Sequence, residues 1–167
     1  MAFNHHADLN PHQQYRIKKL KRELNRAETY AEWKEIALSL DQETGAQEWK
    51  YDNSSPYFDA EIISHRLNML RRYKLQNRVV DLIYILREGL SHDVANIGHP
   101  MLFTQTYVGT KKIIEDYIHE VCESLIFIAS QKCDSLSIKE KIEFFQNCQL
   151  AYGQPAMMFS GGASLGL

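Results

Sequence analysis

The chain has few cysteines, few prolines and no long apolar run. Its three cysteines, Cys122, Cys133 and Cys148, are odd in number and widely spaced, which fits neither a disulfide framework nor paired metal ligands. No apolar stretch approaches the ~18 residues of a membrane-spanning helix. The first residues lack the charged-then-apolar pattern of a signal peptide, so a cytoplasmic location is the expectation. With a net charge of −2, the chain also lacks the basic excess of a general nucleic-acid-binding protein.

What is present is a globular composition with helical periodicity. Of the 167 residues, 44% are hydrophobic and 24% are charged, which is typical of one folded domain. Apolar residues recur at three- and four-residue spacing, which predicts a mainly α fold of about six helices. We expect a disordered leader over residues 1–10, a helical domain over 11–153 and a distinct C-terminal segment over 154–167. The predicted inward-facing residues include Tyr30, Leu40, Ile62, Ile63, Phe103, Ile114 and Ile118.

Two predicted helices carry an excess of positive charge on their polar sides. The residues are Arg16, Lys18, Lys19, Lys21 and Arg22 in the first helix, and Arg71 and Arg72 in the second. A basic amphipathic helix can lie on an anionic membrane surface, where each cation adds about 1 kcal/mol of attraction. A solvated helix face explains the same pattern, and both interpretations stay open at this point.

Residues 154–167 differ in character from the rest of the chain. A short apolar run from Ala156 to Phe159 is followed by Gly161, Gly162 and Gly166, which predicts a buried strand passing into a tight turn. Because glycine has no Cβ, such a turn lets backbone N–H groups approach either a phosphate or the oxyanion of acyl transfer. The spacing fits neither the P-loop nor the dinucleotide fingerprint. A flexible terminal tail is the other interpretation.

At these residues the sequence resembles a known family. Ser160 to Gly166 is similar to the oxyanion-hole loop of patatin-like lipases, in which G-G-x-x-x-G follows the first strand of the catalytic domain. The preceding residues, from about 27 onward, resemble the helical domain of unassigned function that precedes the patatin domain in triacylglycerol lipases. The residues that carry this second resemblance are Tyr30, Trp33, Ala37, Leu40, Asp41, Gly45, Trp49, Lys50, Leu86, Arg87, Gly109, Thr110, Lys111, Ile114, Glu115 and Tyr117.

The resemblance implies a helical domain followed by the first strand and glycine-rich loop of an incomplete patatin-like α/β hydrolase domain. In the full-length enzyme a Ser on a G-x-S-x-G elbow, assisted by an Asp, would hydrolyse triacylglycerol or a related acyl lipid without a metal or an organic cofactor. The oxyanion hole would be formed at Gly161, Gly162, Ala163 and Gly166. No G-x-S-x-G occurs in the sequence. The resemblance therefore implies an N-terminal piece of a lipase, inactive alone, whose partners are the acyl lipid and the rest of the patatin domain.

Several details qualify this interpretation. The Ser91-His92-Asp93 run replaces the Arg-Asn expected in eukaryotic members, which favours a bacterial relative. These three residues are also the types of a catalytic triad, but neighbours in sequence cannot adopt triad geometry. Peripheral contact with an anionic membrane or a lipid droplet would suit a lipase. The alternative function is that of a non-enzymatic helical module for membrane or protein docking.

Overall fold

Seven α-helices account for most of the residues that the structure, a computed structural model, describes: 10–89, 94–131 and 136–152. In chain order they are α1 (Pro11–Leu24), α2 (Tyr30–Glu43), α3 (Ala46–Tyr51), α4 (Ala60–Leu75), α5 (Val79–Glu88), α6 (Lys112–Ser130) and α7 (Ile138–Tyr152). Two short 3-10 turns, Val94–Asn96 and Pro100–Phe103, lie between α5 and α6. The mainly helical prediction is confirmed. The Ser91-His92-Asp93 run, the predicted strand, the glycine-rich loop and nearly all of the predicted leader lie outside the described residues.

Local signals in the sequence begin several of these helices. Asn10 and Gln13 form a reciprocal capping box at the start of α1, with Pro11 at the first helical position. Asp59, a residue type that favours the N-cap position, begins α4, and its carboxylate accepts the Ile62 N–H at 3.0 Å. These caps satisfy backbone donors that would otherwise lack partners at a helix end.

The core of the domain lies where α4 packs along α6, with α5 against both helices. Its fully or nearly fully buried residues include Ile63, Leu70, Leu82, Leu86, Leu102, Ile114, Ile128 and Phe144. The first two helices form a hairpin, with α1 packed along α2. This hairpin reaches the core through α3 and through the residues just before α6. None of the described helices is long and apolar enough to cross a membrane.

The buried face of α6 differs from the predicted one. Ile118 is 48% exposed, whereas Glu120 and Ser124 are buried together with Ile114. Glu120 forms ion pairs with Arg71 and Lys74 of α4, so the buried face of α6 contains a polar contact beside its apolar residues. The inward orientation predicted for three other residues was also wrong, because the structure leaves them exposed: Tyr30, Ile62 and Phe103.

Candidate functional site

A buried carboxylate joins the α1–α2 hairpin to the rest of the domain. Asp41, in the last turn of α2, has no exposed surface. Its two carboxylate oxygens accept the backbone N–H groups of Tyr107 at 2.7 Å and Val108 at 3.1 Å. Lys50 of α3 lies 3.5 Å from the same carboxylate and donates to the Val108 carbonyl at 2.5 Å. A buried charge is tolerated when it is paired and hydrogen-bonded in this way.

A second buried cation closes the end of α3. Lys111 is fully buried, and its amino group donates to the carbonyls of Trp49 at 2.7 Å and Asp52 at 2.6 Å. The same nitrogen lies 4.0 Å from the centre of the Trp49 ring, within the range of a cation–π interaction. Burial lowers the pKa of Lys111, and the nearby Asp52 carboxylate opposes that shift. Lys111 therefore satisfies carbonyls that α3 leaves without partners at its C-terminal end.

Gly109 and Thr110 form the turn that directly precedes Lys111. Gly109 has φ of +75°, and a Cβ at this position would lie 2.1 Å from Oε1 of Glu115. That oxygen accepts the Thr110 N–H at 3.0 Å, so the carboxylate occupies the space that glycine leaves open. The Thr110 hydroxyl donates to the carbonyl of Leu102 at 2.6 Å. The sequence pattern suggests Thr110 as the N-cap of α6, but Lys111 occupies that position without a side-chain cap.

We call these residues the polar joint: Asp41, Trp49, Lys50, Gly109, Thr110, Lys111 and Glu115. Its side chains are occupied by one another and by backbone groups, and it connects α2 and α3 to the start of α6. The part of the chain that the structure describes contains no group of three His, Cys, Asp or Glu side chains that could hold a metal. The polar joint is therefore arranged to fix the relative positions of helices.

The joint collects most of the polar residues that carry the family resemblance. These residues are far apart in sequence, from Asp41 to Glu115, yet they contact one another or adjacent backbone groups. Other resemblance residues, among them Ala37, Leu40, Leu86 and Ile114, are buried apolar core residues. Tyr30 departs from both groups, because 73% of its surface is exposed.

The two basic clusters predicted from the sequence, on α1 and on α4, differ in whether their cations have partners within the domain. On α1, Arg16 pairs with Glu43 at 3.1 Å and Lys19 pairs with Glu23 at 3.7 Å. The other predicted cations of α1 are exposed, and no ionic partner is within reach among the described residues: Lys18, Lys21 and Arg22. Within the part of the chain that the structure describes, α1 thus presents a group of cations without ionic partners.

On α4 the predicted cations serve the fold. Arg71 lies 3.4 Å from the Glu120 carboxylate, and Lys74 reaches the other oxygen of the same group at 2.5 Å. Arg72 lies over the ring of Tyr73, 5.3 Å from its centre. Sequence reasoning missed Glu120 as a buried partner. The signal was an α4 face without acids opposite an α6 face crowded with them, which predicts pairing between the two helices.

Comparison with known proteins gives the family. Residues 11–150 match the domain of unknown function DUF3336, over almost the same range as the seven helices. The chain belongs to the DUF3336 family. No solved structure matches this DUF3336 domain. The glycine-loop residues Gly161, Gly162, Ala163 and Gly166 lie outside both the matched range and the described residues.

Three relatives place DUF3336 among patatin-like lipases. Triacylglycerol lipase ptl1 of Schizosaccharomyces pombe is 32% identical over 139 residues, which are 83% of this chain and 25% of that protein. Triacylglycerol lipase SDP1L of Arabidopsis thaliana is 32% identical over 152 residues, 91% of this chain and 18% of the relative. A patatin-like phospholipase domain-containing protein of Cryptococcus neoformans is 32% identical over 148 residues, 89% and 17% respectively. The predicted resemblance is confirmed, and the chain spans a quarter or less of these relatives.

Proposed function

We propose that this DUF3336 chain is the N-terminal helical domain of a longer patatin-like acyl-lipid hydrolase of the triacylglycerol lipase type. The observation that carries the proposal is the match of the whole helical domain to a segment of proteins named triacylglycerol lipase, of which it covers a quarter or less. The polar joint supports a bracing role, because it locks α2 and α3 against the start of α6. The domain would hold a defined shape beside a catalytic domain.

In that longer enzyme the chemistry lies beyond the helical domain. A Ser on a G-x-S-x-G elbow would attack the ester carbonyl, and an Asp would assist it. Backbone N–H groups around Gly161, Gly162, Ala163 and Gly166 would stabilise the oxyanion, a contribution of roughly 10²–10³ in rate for each donor. The 167-residue chain has no such elbow, so we expect it to hydrolyse no ester alone.

Trioleoylglycerol hydrolysis tests this proposal. The protein encoded by the complete reading frame should release oleate, and replacing the Ser of its G-x-S-x-G elbow by Ala should abolish the release. The 167-residue chain serves as the matched sample without a nucleophile. A complete reading frame without a G-x-S-x-G elbow, or ester hydrolysis by the 167-residue chain, would contradict the proposal.

Docking is the second candidate function, and the exposed cations of α1 favour it. A lipase acts on an aggregated substrate, so a domain that also held the enzyme at a membrane or lipid-droplet surface would serve both functions. The predicted contact residues were Arg16, Lys18, Lys19, Lys21, Arg22, Arg71 and Arg72. Because Arg71 forms an ion pair with Glu120, we expect the membrane-contact surface to exclude Arg71.

A further inference from the structure

One face of α1 combines an exposed aromatic ring with positive charge. Tyr15, Lys18 and Arg22 follow one another at spacings of three and four residues, so they share one face of the helix. The opposite face carries Ile17, the one buried residue of α1, on the helix that packs along α2. Tyr15 exposes 70% of its surface although its ring is apolar. The outward face of α1 is thus amphipathic in its own right.

The acids near α1 are already engaged with other cations. Glu43 pairs with Arg16, and Glu23 pairs with Lys19. Among the described residues, no carboxylate lies within ion-pair distance of Lys18, Lys21 or Arg22. Lys18 and Arg22 share the face of Tyr15, whereas Lys21 lies four residues from the buried Ile17 and flanks that face.

We propose that this face of α1 docks the domain on an anionic lipid surface, with the Tyr15 ring at the boundary between headgroups and acyl chains. Tyrosine favours that boundary because its ring is apolar and its hydroxyl is polar. A helix of 14 residues is about 21 Å long, so it can lie flat along the surface. The choice of lipid over another polyanion rests on the proposed hydrolase function.

Vesicle co-sedimentation of the 167-residue chain tests the charge requirement. We expect binding to vesicles of phosphatidylcholine and phosphatidylserine in equal parts, weaker binding at high salt, and little binding to phosphatidylcholine alone. Each cation near such a surface adds about fivefold to binding, so Lys18→Glu/Arg22→Glu should weaken it at least ~tenfold. Lys34→Glu/Lys139→Glu changes the net charge equally at exposed positions outside α1, so it should bind almost as the parent does.

A second pair of variants tests the aromatic contact. Tyr15→Ser should weaken binding several-fold and make the remaining binding more sensitive to salt, because only the electrostatic attraction is left. Tyr84→Ser is the matched control, since Tyr84 on α5 is 66% exposed and lies outside α1. Far-UV circular dichroism of every variant separates loss of binding from loss of fold.

Three results would overturn the proposal: no binding to the anionic vesicles, equal weakening by the Lys34/Lys139 pair, or equally tight binding of duplex RNA. Failure of the proposed hydrolase function would look different. These vesicle measurements use a chain without a nucleophile, whereas oleate release requires the complete protein. Each proposal can therefore fail while the other stands.

Discussion

Gly109 and Gly45 share a φ of +75° but differ in what surrounds them. A Cβ on Gly45 would meet only Oε2 of Glu48 at 3.9 Å, so Gly45→Ala should cost about 1–2 kcal/mol for the left-handed backbone alone. A Cβ on Gly109 would also displace the Glu115 carboxylate from the Thr110 N–H, which should cost about 1 kcal/mol more. Urea denaturation measures both variants.

A double-mutant cycle isolates the second cost. In a Glu115→Ala background the carboxylate is absent, so Gly109→Ala should cost no more than Gly45→Ala does. If Gly109→Ala remains equally costly in that background, the Glu115 contact is not its cause. The cycle therefore separates backbone strain from crowding at the start of α6.

The buried amine of Lys111 makes a pH-dependent contribution to stability. Lys111→Met keeps an unbranched side chain, one atom shorter than that of lysine, but removes the donor to two carbonyls, and we expect it to destabilise the fold by about 2 kcal/mol near neutral pH. Burial lowers the folded-state pKa below 10.5, so the unfolded chain binds more protons in the window between the two values. The penalty of burying the charge is complete below the folded pKa and is relieved as pH rises toward 10.5.

Denaturation of both proteins across alkaline pH provides the measurement. The stability advantage of the parent over Lys111→Met should grow as pH rises through that window, and the difference between the two proteins cancels the titration of other lysines and tyrosines. An advantage that shrinks with rising pH would show that the charged form is the one stabilised by its surroundings.

At the scale of a helix, α6 distinguishes an apolar pattern from a buried face. Ile114 has no exposed surface, so Ile114→Ala should cost about 2–5 kcal/mol through lost burial and a cavity. Ile118 is 48% exposed, and Ile118→Ala should cost under about 1 kcal/mol. Thermal or urea denaturation of the two variants compares the same chemical change one turn apart. Equal costs of Ile114→Ala and Ile118→Ala would indicate that Ile118 is buried as well, as the apolar spacing predicts.

The same helix shows why sequence reasoning succeeded locally and failed across helices. The α4 cap at Asp59 and the helical class were predictable because they depend on neighbours in the chain. The burial of Glu120 on α6 accompanies its ion pairs with cations of α4, a pairing between residues about fifty positions apart. Lys111 stands four residues before Glu115, the spacing of an ordinary helix ion pair, whereas its acceptors at Trp49 and Asp52 are backbone carbonyls that no residue pattern marks.

At the scale of the whole molecule, the polar joint connects two parts of the domain. One part consists of α1, α2 and α3, and the other is the core formed by α4, α5 and α6. The α1–α2 hairpin reaches the core through α3 and through the Asp41 contacts to residues 107 and 108. Apolar burial is concentrated in the core, and local stability tends to follow buried contacts. We therefore expect the hairpin to open more readily than the core.

Asp41→Asn tests this division. The change removes the charge opposite the buried Lys50 and replaces one acceptor oxygen by an amide, so we expect a cost of about 3 kcal/mol. In hydrogen exchange, α1 to α3 should lose amide protection while α4 to α6 retain most of it. Asp59→Asn is the control, since Asn caps a helix about as well as Asp and the position is exposed. Uniform loss of protection across all helices would mean that the joint and the core unfold as one unit.

Because Tyr15 and the free cations of α1 lie outside the joint, Asp41→Asn should also leave vesicle binding largely intact.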